Sequence, residues 1–246
     1  MKQNKYDDPE FFTNYSRMAR SIGGLDAAGE WPAFRALLPT LRDKSVLDLG
    51  CGFGWHCRYA REQQARSVVG VDLSEKMLAR ARESTNDVAI EYRRLAIEDI
   101  NFSAGAFDVV LSSLALHYVE RFDLVCRKVH HCLVPEGSFV LSVEHPIFTA
   151  RASQDWYYGQ QGERLHWPVD HYQEEGPRQA SFLEHEVVKY HRTVATYVNT
   201  LIDSGFTLTK LSEPQPTQEL LDKHPEWQDE TRRPMFLLIA AVKQEQ

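Results

Sequence analysis

One stretch, Ser45 to Ala60, limits the fold of this chain more than any other: SVLDLGCGFGWHCRYA. An apolar strand ending in Asp48-Leu49 runs directly into Gly50-Cys51-Gly52-Phe53-Gly54, and a segment able to open a helix follows. Glycines after a strand let the backbone turn tightly and approach a ligand with no Cβ in the way. A second apolar run, Val68-Val69-Gly70-Val71, ends at Asp72. This is the layout of a strand–helix–strand unit, in which a carboxylate at the second strand's tip grips the hydroxyls of a nucleotide ribose. The pattern predicts a site for an adenosine-containing cofactor.

Two cofactor classes compete for the loop. A dinucleotide fingerprint requires G-x-G-x-x-G, whose third glycine lets the helix press close while its N-terminus faces a pyrophosphate. Here Gly50, Gly52 and Gly54 are spaced G-x-G-x-G, and Trp55 stands where the third glycine is required. An indole there would crowd a pyrophosphate, which disfavours a nicotinamide oxidoreductase. S-adenosylmethionine has no phosphate and asks for room for its methionine tail and a carboxylate for its ribose. VLDLGCGFG resembles the first motif of class I S-adenosylmethionine-dependent methyltransferases, and VVGVDLS resembles their second. The likeness is greatest to the group that includes the ubiquinone and menaquinone biosynthesis methyltransferases, whose substrates vary widely. It implies a doubly wound, Rossmann-like α/β fold with seven strands, mostly parallel, and an antiparallel hairpin at the C-terminal edge.

Bulk properties agree with one enzyme domain. The 246 residues suffice for a single large α/β domain with a substantial core. A formal charge of -7 and a pI near 5.8 argue against a broad phosphate-binding surface, so nucleic acid is an unfavoured partner. Cys51, Cys57, Cys126 and Cys132 form no C-x-x-C pair, which suggests neither zinc nor a disulfide framework. No apolar run is long enough to span a bilayer, and MKQNKYDDPEFF lacks the apolar stretch of a secretory signal. The expected location is the cytoplasm. Nothing in the sequence states an oligomeric state.

Strands and helices alternate along most of the chain. The domain is expected to comprise an N-terminal helical cap (1–41), a cofactor-binding core (42–143), a substrate lid (144–187) and a closing helix with an edge hairpin (188–246). Asp8-Pro9-Glu10 reads as a helix start. The core strands fall at 45–49, 67–71, 90–93, 107–111 and 138–143, the last after a helix over 121–132. The apolar run 107–111 has the character of a strand buried on both faces. The lid carries no clear period, and a stretch this long is usually functional or locally folded. A helix is expected over 190–204, and the last two strands over 206–211 and 235–242.

The resemblance assigns the cofactor site residue by residue. Gly50, Cys51 and Gly52 would line the methionine portion, with Asp48 ordering the loop. Asp72 would accept hydrogen bonds from both ribose hydroxyls, beside Leu73, with Met77 edging the adenine pocket. Leu95 to Asp99 is similar to the segment that flanks the adenine, through Ala96, Ile97 and Glu98, although the family often has Gly-Asp at Leu95-Ala96. Ser112 opens the substrate-side segment that runs to Tyr118. The N-terminal aromatic helix resembles the family's flap: Tyr15 and Met18 would cover the sulfonium and Arg20 would neutralise the cofactor's carboxylate.

Methyl transfer from a sulfonium is an in-line displacement, so alignment matters most and a base is needed only where the acceptor must lose a proton. Histidine suits that role at neutral pH. His117 is the first candidate, followed by His145 and Glu144 at the neighbouring strand tip. Trp156, Tyr157, Tyr158, His166, Trp167 and Tyr172 would give the lid aromatic walls for a small acceptor, and His185 and His191 are expected to be structural. The expected function is methylation of a small molecule. A methyltransferase acting on tRNA or protein, and a non-catalytic S-adenosylmethionine-binding module, are the alternatives.

Overall fold

The computed structural model describes residues 3–244. Its main sheet has seven strands in the order β10-β11-β5-β4-β1-β2-β3. β1 (Ser45–Leu49), β2 (Ser67–Asp72), β3 (Ile90–Arg94), β4 (Phe107–Ser113) and β5 (Leu133–Glu144) pair in parallel. The expected Rossmann-like architecture is therefore present, including the edge pair: β11 (Phe236–Lys243) runs antiparallel to both β5 and β10 (Phe206–Ser212). Among the described residues, no helix is long and apolar enough to cross a membrane.

Strand alternation divides the core into two layers. Leu47, Val110, Phe139, Leu141 and Leu237 face one side, where α6 (Phe122–Cys132) and α8 (Val194–Asp203) cover them through Val125, Val129, Tyr197 and Leu201. Val46, Val109, Leu111, Val140 and Leu238 face the other. There α3 (Trp31–Leu37), α4 (Trp55–Glu62) and α5 (Glu75–Glu83) bring Phe34, Cys57, Ala60 and Leu78. Burial on both faces explains why these strands read as continuous apolar runs.

Strand order reverses between β1 and β4, so their C-terminal loops diverge and leave a crevice. Gly50 (φ +76°) brings the two loops together, since a Cβ there would lie 2.5 Å from the Ala115 Cβ. Leu114 also has a positive φ, 52°, with its N–H donated to the Ser142 carbonyl at 3.0 Å.

The chain before β1 forms a roof. Asp8 caps α1 (Pro9–Ser16) as its sequence suggests, accepting from the N–H groups of Glu10 and Phe11 at 3.0 Å each. Asp7 reaches across to α5, where it accepts from Ser74 Oγ at 2.6 Å and from the Lys76 N–H at 3.1 Å. A carboxylate at a helix N-terminus is favourable. The short α2 (Ala19–Gly23) follows.

The segment with no clear period is locally folded. After α7 (Pro146–Thr149) come the small pair β6 (Tyr157–Tyr158) and β7 (Arg164–His166), then a hairpin of β8 (Gly176–Phe182) and β9 (His185–His191). Phe11 of α1 packs with Ala180 and Val187 of this hairpin, so roof and insertion share a small core. The helix expected from 190 begins instead at Val194, capped by Thr193, because Tyr190 and His191 still belong to β9. A short α9 (Gln218–Lys223) precedes β11.

Candidate active site

A cavity of about 490 Å³ opens at the reversal of strand order. One end is lined by Gly50, Gly52, Asp72, Leu73, Met77 and Ala96 to Glu98, all beyond the tips of β1, β2 and β3. The other is lined by His117, Tyr118, Glu144, Phe148, Gln154, Phe182, Lys189 and Phe236. Tyr6, Tyr15, Met18 and Arg20 close it from the roof.

At the first end, Asp72 stands on the tip of β2 with each oxygen already accepting one backbone hydrogen bond. Oδ2 accepts from the Gly52 N–H and Oδ1 from the Ser74 N–H, both at 2.9 Å. These bonds fix the carboxylate and the glycine loop together, and each oxygen keeps a lone pair for a ligand. Burial raises the Asp72 carboxyl above its ordinary value despite the two N–H bonds that pull it down. Gly52 (φ +52°) leaves a gap that a Cβ would fill to within 3.2 Å of Met77 Cε. At the roof, Arg20 is held by the buried Glu30 at 2.9 Å and Tyr15 meets Phe53 edge to face.

At the second end, four side chains form one network. The Lys189 Nζ donates to Glu144 Oε1 at 2.6 Å and to Gln154 Oε1 at 2.8 Å, while Gln154 Nε2 donates to Glu144 Oε2 at 3.0 Å. Lys189 is only 2% exposed. His117 joins through its backbone neighbour: Nδ1 accepts the Glu144 N–H at 3.4 Å. Burial pushes the His117 imidazole down to about 4, with Glu144 opposing and Lys189 reinforcing, so the ring is neutral at pH 7. Burial alone would raise the Glu144 carboxyl, but His117, Lys189 and Gln154 hold it below its ordinary value. Burial raises the Tyr118 hydroxyl well above the usual phenol range.

Residues 47–141 match the methyltransferase domain family. A Haemophilus influenzae protein without an assigned function is 34% identical over 255 residues, which cover 99% of this chain and 98% of that one. A solved S-adenosylmethionine-dependent methyltransferase from Mesorhizobium loti is 49% identical, with a TM-score of 0.85, over 89% of this chain and all of that one. A proposed S-adenosylmethionine-dependent methyltransferase from Listeria monocytogenes is 54% identical, with a TM-score of 0.86, over 90% of this chain and all of that one. The chain belongs to the S-adenosylmethionine-dependent methyltransferases. It is an enzyme, and S-adenosylmethionine is its cofactor.

Several residues named from the sequence of this methyltransferase lie on the cavity wall: Tyr15, Arg20, Gly50, Gly52, Asp72, Leu73, Met77, Ala96, Ile97, Glu98, His117 and Glu144. Four lie elsewhere. His145 turns away: Nδ1 accepts the Ile147 N–H at 3.0 Å as the cap of α7, and Nε2 meets Glu213 at 2.7 Å. Pro146 starts a helix at that point, and capping it sets the ring's direction. Ser112 is buried and donates to the Leu49 carbonyl, leaving its neighbour Ser113 on the wall. Cys51 lines a much smaller adjoining pocket beside Trp55 and Arg20.

Asp48 lies beneath the glycine loop. Cys57 Sγ donates to its Oδ2 at 3.3 Å, and Oδ1 has no partner among the described residues. Burial raises its carboxyl to about 7. Below about pH 4 the group is protonated in both folded and unfolded chains, and as the pH climbs the unfolded chain ionises first. Stability is therefore lost between about pH 4 and 7, by at most about 4 kcal/mol. Asp48→Asn is expected to raise the melting temperature of the ligand-free protein at about pH 8 and to leave it nearly unchanged at about pH 4. Equal shifts at the two pH values would contradict a buried, raised carboxyl.

The aromatic lid is arranged differently from its expected form. Trp156 and Trp167 enclose the Arg233 guanidinium, which lies 4.0 Å from the Trp167 ring centre, while Tyr157 and Tyr158 are exposed. The aromatic walls come instead from Tyr6, Tyr118, Phe148, Phe182 and Phe236. His185 packs against Phe11, and His191 bonds to Thr149 Oγ1 at 2.8 Å. Trp55 packs its indole on Gly24, with Arg58 stacked 4.5 Å from the ring centre. Sequence reasoning missed Lys189 and Gln154. In the fold Lys189 alternates inward with Val187 and His191 along β9, a placement the charged side chain did not signal in the sequence.

Proposed function

We propose that this methyltransferase transfers the methyl group of S-adenosylmethionine to a small molecule held beside His117, Glu144 and Lys189. The observation that carries the reading is the continuity of one cavity from Asp72 and the glycine loop to that network. Asp72 would hold the ribose diol, Gly50 and Gly52 the methionine portion, Ala96 to Glu98 with Leu73 and Met77 the adenine. Tyr15 and Arg20 would close over the cofactor from the roof, Arg20 offering its charge to the methionine carboxylate. When bound, the cofactor supplies an electrophilic methyl on a sulfonium. The protein's contribution is to hold an acceptor in line with it and to keep water out.

A walled cavity closed by a roof suits a small acceptor better than tRNA or a protein surface, and the net charge of -7 points the same way. Four free, buried cysteines suit a reducing cytoplasm. His117→Asn is expected to lower turnover by about 10²-fold or more while S-adenosylhomocysteine affinity stays within about threefold. Turnover of native size in that variant would remove His117 from the acceptor site. Loss of cofactor affinity along with turnover would move it to the cofactor end.

A further inference from the structure

The hydrogen bonding of the acceptor end determines which kind of nucleophile it can serve. Nδ1 of His117 is occupied as an acceptor by the Glu144 N–H, which assigns the proton of the neutral ring to Nε2. Nε2 has no partner among the described residues, and His117 lines the cavity. The ring therefore offers an N–H and has no lone pair to take a proton. Glu144 is engaged at both oxygens, by Lys189 and by Gln154. Lys189, which lines the cavity with its ammonium 5.5 Å from the Phe182 ring centre, uses two of its three donors on Glu144 and Gln154 and has a third with no oxygen partner among the described residues. His117 and Lys189 thus present two donors, and the carboxylate beside them, Glu144, is ion-paired to Lys189 and held below its ordinary value, which makes it a weak base.

We infer that the acceptor enters as a carboxylate and leaves as its methyl ester, held by the His117 Nε2–H and the Lys189 ammonium. The inference rests on the reading that the cofactor occupies the Asp72 end. A carboxylate oxygen forms the new bond to the methyl carbon as the carbon–sulfur bond breaks, and that bond's electron pair stays on sulfur. Anion and sulfonium become neutral ester and neutral thioether, and no proton moves, so no base is required. An alcohol would have to be deprotonated, and Glu144, ion-paired to Lys189 and held below its ordinary value, is a poor base for that. The low proton affinity of His117 and Glu144 and the raised Tyr118 agree with this arrangement. Phe148, Phe182 and Phe236 on the same wall suit an acid with an apolar, flat body.

Two measurements test this on the native protein. In the first, the enzyme is given S-adenosylmethionine labelled in its methyl group together with a low-molecular-weight extract of the cells that express it. Label released as volatile methanol on mild alkali is expected, as from a methyl ester. Label that survives alkali would overturn the carboxylate acceptor and leave small-molecule methyl transfer standing. No transfer to any component would overturn the small-molecule reading itself, and the carboxylate with it. The second is calorimetry on protein saturated with S-adenosylhomocysteine, with phenylacetate and phenylacetamide as probes. Phenylacetate is expected to bind about tenfold more tightly or better, since a charged acceptor strengthens each hydrogen bond. Equal affinities, or no binding of either, would overturn the two-donor site.

Discussion

Asp72→Ala is expected to weaken S-adenosylhomocysteine binding by about 10²-fold or more, measured by calorimetry. Two hydrogen bonds from a diol to a carboxylate are worth about 1.5–3 kcal/mol each, so losing both far exceeds a tenfold change. The substitution also releases the Gly52 and Ser74 N–H groups, which the carboxylate now fixes at 2.9 Å. Loop disorder would add to the loss. Asp72→Asn separates the two effects, because its carbonyl oxygen still accepts one N–H while the charge is gone. An intermediate affinity is expected for it. Native affinity in the alanine variant would show that the nucleoside is held elsewhere.

The second large effect is on stability. Lys189→Met removes the cation that faces Glu144 from a 2% exposed position, leaving a carboxylate that is itself only 16% exposed without its charge partner. Breaking a buried pair from one side costs about 3–5 kcal/mol, on the order of 10 °C in melting temperature for a chain of this size. Lys189→Met combined with Glu144→Gln is expected to recover most of that loss, since no uncompensated charge then remains. Additive losses in the double variant would mean that the two side chains act independently. Both variants are expected to bind S-adenosylhomocysteine normally, because the pair lies at the far end of the cavity from Asp72.

Much of the fold was legible because its physical causes are local. The strands of the main sheet are buried on both faces and read as short apolar runs bounded by glycine, proline and acidic residues. The glycine loop and Asp72 were legible for the same reason, since a tight turn next to a cofactor restricts which residues can stand there. The insertion was not legible. β8 and β9 are stabilised by packing under α1, so their alternation is interrupted wherever a side chain faces the cavity instead of a core. Lys189 illustrates this: an inward lysine on a strand looks like an error in the period, and only the fold brings Glu144 to it across 45 residues. His117 and His145 were expected at adjacent strand tips, with His117 the first candidate. A positive φ at Leu114 precedes His117 on the cavity wall, whereas Pro146 opens a helix whose cap His145 becomes.

The most direct test is a crystal structure of the protein with S-adenosylhomocysteine. The ribose diol is expected on the Asp72 carboxylate, with the sulfur turned toward His117 and Lys189 across open cavity. A nucleoside bound away from Asp72, or a sulfur pointing away from the His117 end, would contradict the account.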